Sequence, residues 1–177
     1  MNKSTALLVI DVQMDMFSDP DSPVYKGAEL LTNIKKLIER ARIANVPIIY
    51  VQHTESDDKP MGKGKPGWEI HPEIAPSEGD ITVLKETPSS FYKTNLQEVL
   101  LSKGITELII TGLQTECCID TSIRHAFFLG YEVVLVKDAN STYDIAPLTA
   151  PQIIQHHHRI IGNWFAKVLS TDEIEFE

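Results

Sequence analysis

Short apolar runs without internal alternation recur along this chain, and they constrain its fold more than any other feature. The first is Thr5 to Val12, interrupted only by the carboxylate of Asp11 near its end. Val46 to Val51, entered through Pro47, is the second, and Ile81 to Leu84 the third. Ile105 to Ile110, Tyr131 to Val136 and Ala166 to Leu169 complete the series. A strand with one wet face alternates apolar and polar residues, whereas continuous hydrophobicity marks strands covered on both sides, as in a parallel sheet. Between the runs lie helical spacings: Leu30, Leu31, Ile34, Leu37, Ile38 and Ala41, then Leu96, Val99 and Leu100 ending at Gly104. Ile119, Ile123, Ala126 and Phe127, stopped by Gly130, form a third, and residues 148–161 a fourth. Strands alternating with helices predict an α/β fold, a doubly wound parallel sheet with helices on both faces. The whole chain, 1–177, fits one domain.

Composition removes several function classes. A formal net charge of −9 argues against nucleic acid, whose phosphates are bound by clustered Lys and Arg. The apolar stretch Ala6 to Ile10 is too short for a signal sequence or a membrane span. Cys117 and Cys118 are sequence neighbours, so a bridge between them would be strained and would close almost no loop. A reducing, cytoplasmic setting is therefore expected. The acidic end, Thr171 to Glu177, reads as a solvated tail.

In a parallel sheet the ligand crevice lies outside the carboxyl ends of the strands. Asp11, His53, Lys85 and Cys118 stand at or just past the ends of the first four runs, so an acid, a base, an ammonium and a thiol converge on one edge. Thr115 is placed to cap the helix that follows the fourth strand, which puts Cys118 in its first turn. Unpaired backbone N–H groups there bias a thiol toward thiolate, and a neighbouring Lys85 would deepen the bias. Cys117 reads as packing. His125, two turns beyond Cys118, has poor reach to the thiol. His156, His157 and His158 resemble a metal site, but consecutive helical residues point about 100° apart and do not converge on one ion. Gly62 to Gly67 matches GxGxxG in letters only: it neither follows a strand directly nor opens a helix, and Pro66 lies within it. A mobile lid or a subunit contact is the expectation for this loop. Phe17, Trp68 and Phe91 are candidate pocket walls.

These pieces resemble the isochorismatase-like cysteine hydrolases, which include nicotinamidases and N-carbamoylsarcosine amidases. The resemblance rests on Leu7 to Gln13, on Leu84-Lys85, on Gly112 to Thr121, and on Gly130 to Val133 with Lys137 to Ala139. It spans nearly the whole chain. It implies a six-stranded, Rossmann-type sheet of order 3-2-1-4-5-6 and an Asp–Lys–Cys triad of Asp11, Lys85 and Cys118. It also implies a cis peptide at Leu113–Gln114 and an oxyanion hole formed by the N–H groups of Gln114 and Cys118. Nicotinamidases carry an Asp-x-His metal motif after the second strand; here Val51 stands in the acidic place before His53, and with His71 the donor set lacks a carboxylate. No metal and no cofactor are expected. The thiol points to cleavage of a small amide or carbamoyl substrate through a thioester, with enol-ether hydrolysis or a non-catalytic small-molecule-binding role as the alternatives. The resemblance further implies a homodimer or larger homo-oligomer, to which the apolar pairs Phe127-Phe128 and Trp164-Phe165 lend support.

Overall fold

The computed structural model describes residues 4–176. Six strands form one sheet: β1 (Thr5–Ile10), β2 (Ile48–His53), β3 (Ile81–Lys85), β4 (Glu107–Leu113), β5 (Glu132–Ser141) and β6 (Lys167–Leu169). All neighbours are parallel, in the order β3-β2-β1-β4-β5-β6 that the family resemblance implies. Central β1 is buried at all six positions, which is why its residues are apolar without alternation. Helix α1 (Gly27–Ile43) covers one face, setting Ile34, Leu37 and Ile38 on Leu7, Val9, Ile48 and Tyr50. On the opposite face, Leu8, Ile10, Ile49, Val51 and Ile110 are covered by α2 (Leu96–Ser102), α3 (Asp120–Phe128) and α4 (Ala150–Trp164). A reciprocal cap between Thr149 and Gln152 opens α4. Among the described residues no helix is long and apolar enough to cross a membrane.

Two regions depart from the sequence reading. Strand β5 runs on to Ser141 rather than ending at Val136, because its ladder with β4 slips between Ile110 and Gly112 and then resumes. Gly112 makes that possible. Its φ is +121°, and a Cβ there would lie 2.0 Å from the carbonyl oxygen of Ile10 on the neighbouring strand. Gly112→Ala is expected to cost about 2–3 kcal/mol in urea unfolding, because the clash is with backbone; a shift within about 0.5 kcal/mol would show that β1 and β4 can part.

The acidic end is not a solvated tail. Thr171 and Ile174 are buried, and the Arg40 guanidinium of α1 donates to the carbonyls of both. Ile174 and Phe176 bring apolar side chains to the α1 face, and that burial outweighs the charge of the carboxylates between them. Glu177 lies outside the described residues.

Candidate active site

Register places the site. In a parallel pair, facing residues point to the same side of the sheet. His53 faces Lys85 across β2 and β3, so both side chains continue the row of Val51 and Val83 toward the face where α3 packs. Strict alternation along β1 would send Asp11 to the other face, with Leu7 and Val9. Instead Asp11 takes φ +53°, a left-handed conformation that Asp tolerates better than most residues, and the pleat is broken. Its carboxylate then meets Lys85, with Nζ 2.6 Å from Oδ2. From the far side comes the turn after β4, residues Thr115–Ile119, in which Ile119 N–H reaches back five residues to the Gln114 carbonyl. This wide turn delivers Cys118 with its Sγ 3.3 Å from Lys85 Nζ. The Leu113–Gln114 peptide that precedes it is cis.

Lys85 thus spends its three protons on three acceptors: Asp11 Oδ2, Cys118 Sγ and, at 3.1 Å, the Thr87 carbonyl. Burial works against its charge, but Asp11 and Cys118 together outweigh it and hold its pKa above the usual lysine value. Burial also pushes the Asp11 pKa well up, opposed by Lys85 and reinforced by Cys118. The Cys118 pKa is raised by its hydrogen bond with Cys117 and by burial, against the pull of Lys85 and Asp11. One buried ammonium balances one negative charge, so Asp11 and Cys118 compete to be the anion and share a proton between them. This corrects the expectation that the first turn and Lys85 together bias the sulfur toward thiolate: the hydrogen bond with Cys117 and burial outweigh them. Thr115 does not cap that turn either: fully buried, it donates to Asn140 Oδ1 of β5 at 2.7 Å.

Asn140 is a support the sequence did not reveal. Its Nδ2 donates to the Val136 carbonyl, and its Oδ1 also receives Nε2 of His158 from α4 at 3.1 Å. Burial pushes the His158 pKa down to about 4, so the ring is neutral and donates this proton. The adjacent His157 turns instead to Asp120 Oδ1, 3.2 Å away. His158 braces the cysteine turn through Asn140, and His157 holds the start of α3 through Asp120.

Gln13 is the second missed residue, and it is fully buried. Its Oε1 accepts from the His53 N–H, and its Nε2 donates to the carbonyls of His53 and Trp68 at 2.9 and 2.8 Å. The side chain imitates a strand edge and fixes the segment around Trp68. Met14 and Asp15 N–H groups bond Glu69 and Gly67, and His71 N–H bonds Val12. The loop from Thr54 to Asp80 is therefore tied to the segment after β1 from Gly67 to His71.

The candidate pocket residues separate. Trp68 is half-buried over the sheet edge, its indole N–H on Thr54 Oγ1 at 3.0 Å. Phe17 lies with its ring against His71 at 5.0 Å. Phe91 is no pocket wall: it is a core residue under α2, stacked near His125 and Tyr131, because Ser90 and Ser122 pull its loop onto α3. His125 takes Ser89 Oγ as its hydrogen-bond partner, 2.8 Å away. His53 has a buried Nδ1 without a hydrogen-bond partner among the described residues, and burial and then Lys85 lower its pKa. Val51, where an acidic metal ligand would stand, is packed in the core.

A carboxylate, an ammonium and a thiol gathered at the carboxyl edge of a doubly wound sheet define an α/β protein with a cysteine-centred site. Comparison with known proteins gives the family. The isochorismatase domain model matches residues 5–173, and the chain belongs to the isochorismatase family of hydrolases. It is 33% identical over 170 residues to a streptothricin hydrolase of Streptomyces noursei, covering 96% of this chain but only 60% of that protein. It is 29% identical over 199 residues to a ureidoacrylate amidohydrolase of Agrobacterium fabrum, covering 93% and 86% of the two chains. The crystal structure of N-carbamoylsarcosine amidase from Thermoplasma acidophilum superposes with a TM-score of 0.79 at 28% identity, covering 97% and 99%.

Proposed function

We propose that this protein hydrolyses the C–N bond of a small amide or carbamoyl compound through a thioester on Cys118. The observation that carries the reading is the position of Lys85 Nζ, within 2.6 Å of Asp11 Oδ2 and 3.3 Å of Cys118 Sγ in a buried site. The three relatives named above, a hydrolase and two amide-cleaving enzymes by name, support it. Asp11 takes the thiol proton, and the thiolate adds to the carbonyl carbon. The C=O electron pair moves onto oxygen, and the N–H groups of Gln114 and Cys118 receive the oxyanion, at about 3 kcal/mol of transition-state stabilisation per donor. When the C–N bond breaks, Asp11 returns its proton to the departing nitrogen. A water then gives a proton to Asp11 and attacks the thioester, and the thiol leaves with that proton. Throughout, Lys85 keeps whichever of Asp11 and Cys118 is anionic paired, so the proton moves without uncovering a buried charge.

The test is to trap the intermediate. Brief incubation with a panel of small amides and carbamoyl compounds, followed by acid quench and peptide mass spectrometry, is expected to show an acyl or carbamoyl mass on the Cys118 peptide. Turnover of these compounds with no adduct under any quench, and undiminished after iodoacetamide has alkylated Cys118, would overturn the thioester route; hydrolysis of an enol ether alone, equally untouched by alkylation, would place the chemistry there instead.

A further inference from the structure

We propose that Ser122, four residues past Cys118, is a positioning residue for this reaction: through Ser90 it holds the carbonyl that keeps Lys85 between Asp11 and the sulfur. The proposal rests on the C–N hydrolase reading above. Asp11 and Cys118 exchange charge during that cycle, so neither is a constant partner for the buried ammonium. The Thr87 carbonyl, 3.1 Å from Lys85 Nζ, is the acceptor that stays the same throughout. Its place is set by stiff backbone. The carbonyl belongs to the peptide bond into Pro88, whose ring fixes its own φ and confines Thr87 to extended conformations. Thr87 Oγ1 also donates to the Ser89 carbonyl, at 3.4 Å. Only Pro88 and Ser89 separate Thr87 from Ser90, and Ser90 is fully buried with its N–H, hydroxyl and carbonyl all engaged.

Ser122 makes two of those contacts. Its Oγ accepts the Ser90 N–H at 3.0 Å and lies 2.8 Å from the Ser90 hydroxyl, while the Ser90 carbonyl accepts from Thr94 Oγ1 at 2.6 Å. A second tie stands beside this one. Ser89 Oγ, which accepts from the N–H groups of Phe91 and Tyr92, is 2.8 Å from His125 Nδ1. Ser122 and His125 both belong to α3, which continues directly from the wide turn carrying Cys118. The fixed acceptor of the ammonium and the sulfur it must reach are thus mounted on one helix, whereas Asp11 follows β1. Ser122 is itself fully buried on a helix whose other buried residues, Ile123 and Ala126, are apolar. Alanine would meet the needs of packing, and a buried hydroxyl is costly unless it is bonded. Removing it takes both contacts from Ser90 and frees the loop. The Thr87 carbonyl then withdraws, and Lys85 is drawn onto Asp11, its closer partner at 2.6 Å, and away from the sulfur at 3.3 Å. The Cys117 hydrogen bond and burial hold the Cys118 thiol protonated, and Lys85 leads the opposition to them. With Lys85 displaced, the sulfur is harder to ionise.

The test follows the rate at which iodoacetamide alkylates Cys118 as pH is varied, with peptide fragmentation separating Cys118 from Cys117. Ser122→Ala is expected to slow alkylation at least about fivefold near neutral pH and to displace the whole profile toward higher pH. Ser90→Ala, which leaves α3 unaltered, should do the same and carries the test should Ser122→Ala not fold. The double variant should be no slower than either single one, because both remove the same tie. Ile34→Val, which trims the core under α1 on the opposite face of the sheet, lowers stability alone and should keep the native profile. A native profile in folded Ser122→Ala or Ser90→Ala, additive losses in the double variant, or the same displacement in Ile34→Val overturns the proposal and leaves the serines a purely structural role. Alkylation needs no substrate, whereas the acyl adduct on the unaltered chain reports on the C–N hydrolase reading, so the two fail separately.

Discussion

A Cys118→Ala variant is expected to lose turnover of its amide substrate by at least about a thousandfold while keeping its fold. The sulfur is the nucleophile in the proposed cycle, and an alanine leaves Asp11 with no proton to take from it. Stability should change little, because Cys118 sits at the edge of the core and its removal costs only the weak sulfur contacts to Lys85 and Cys117. Asp11 then becomes the sole counter-ion of Lys85, which relieves the competition between the two anions. Single-turnover kinetics with unfolding measured in parallel separate the two effects. A variant that retains a tenth or more of native turnover would remove the thiol from the mechanism.

Lys85→Met should damage stability as well as turnover. Met is close in length but brings no charge, and Asp11 is fully buried, with neither carboxylate oxygen taking a backbone N–H among the described residues. Removing one partner of a buried pair typically costs about 3–5 kcal/mol. The pH dependence identifies the orphaned group. In the native chain Lys85 lowers the Asp11 pKa against burial; without it, burial carries the folded pKa further above the unfolded value of about 3.9. A carboxyl raised in the folded state favours folding while it is protonated, and that contribution is lost as pH rises through the folded pKa. The deficit of Lys85→Met in urea should therefore grow between pH 5.5 and 8.5. A deficit that stays flat or shrinks over this range would mean that Asp11 is not the charge left behind.

Much of this was legible in the sequence because the physics involved is local or periodic. The uninterrupted runs marked the strands, and their carboxyl ends marked the edge where Asp11, His53 and Lys85 stand. The order of the strands came through resemblance, since periodicity says nothing about which strand lies beside which. What stayed hidden depends on contacts between distant residues. Alternation predicts the wrong face for Asp11, and only its left-handed φ, set by packing, corrects it. Thr115 had the look of a cap, but Asn140, 25 residues away, claims its hydroxyl. Phe91 suggested a pocket wall because aromatic residues often line pockets; the pairing of Ser90 with Ser122 draws it into the core instead. Gln13 carries no local signature, since any of several polar residues after a strand would read the same way.

The Gln13 side chain, two residues past Asp11, joins His53 and Trp68 to the end of β1, while the sulfur arrives from β4, mounted on Ile119 and braced by Asn140. Proton acceptor and nucleophile thus follow two neighbouring strands, β1 and β4, and meet at Lys85 and over the packing beneath it. Trimming a methyl group from that seam, as in Ile119→Val, would alter their spacing without touching a single charge. Evolution could tune the speed of such a catalyst from its hydrocarbon foundations and leave every reacting atom as it is.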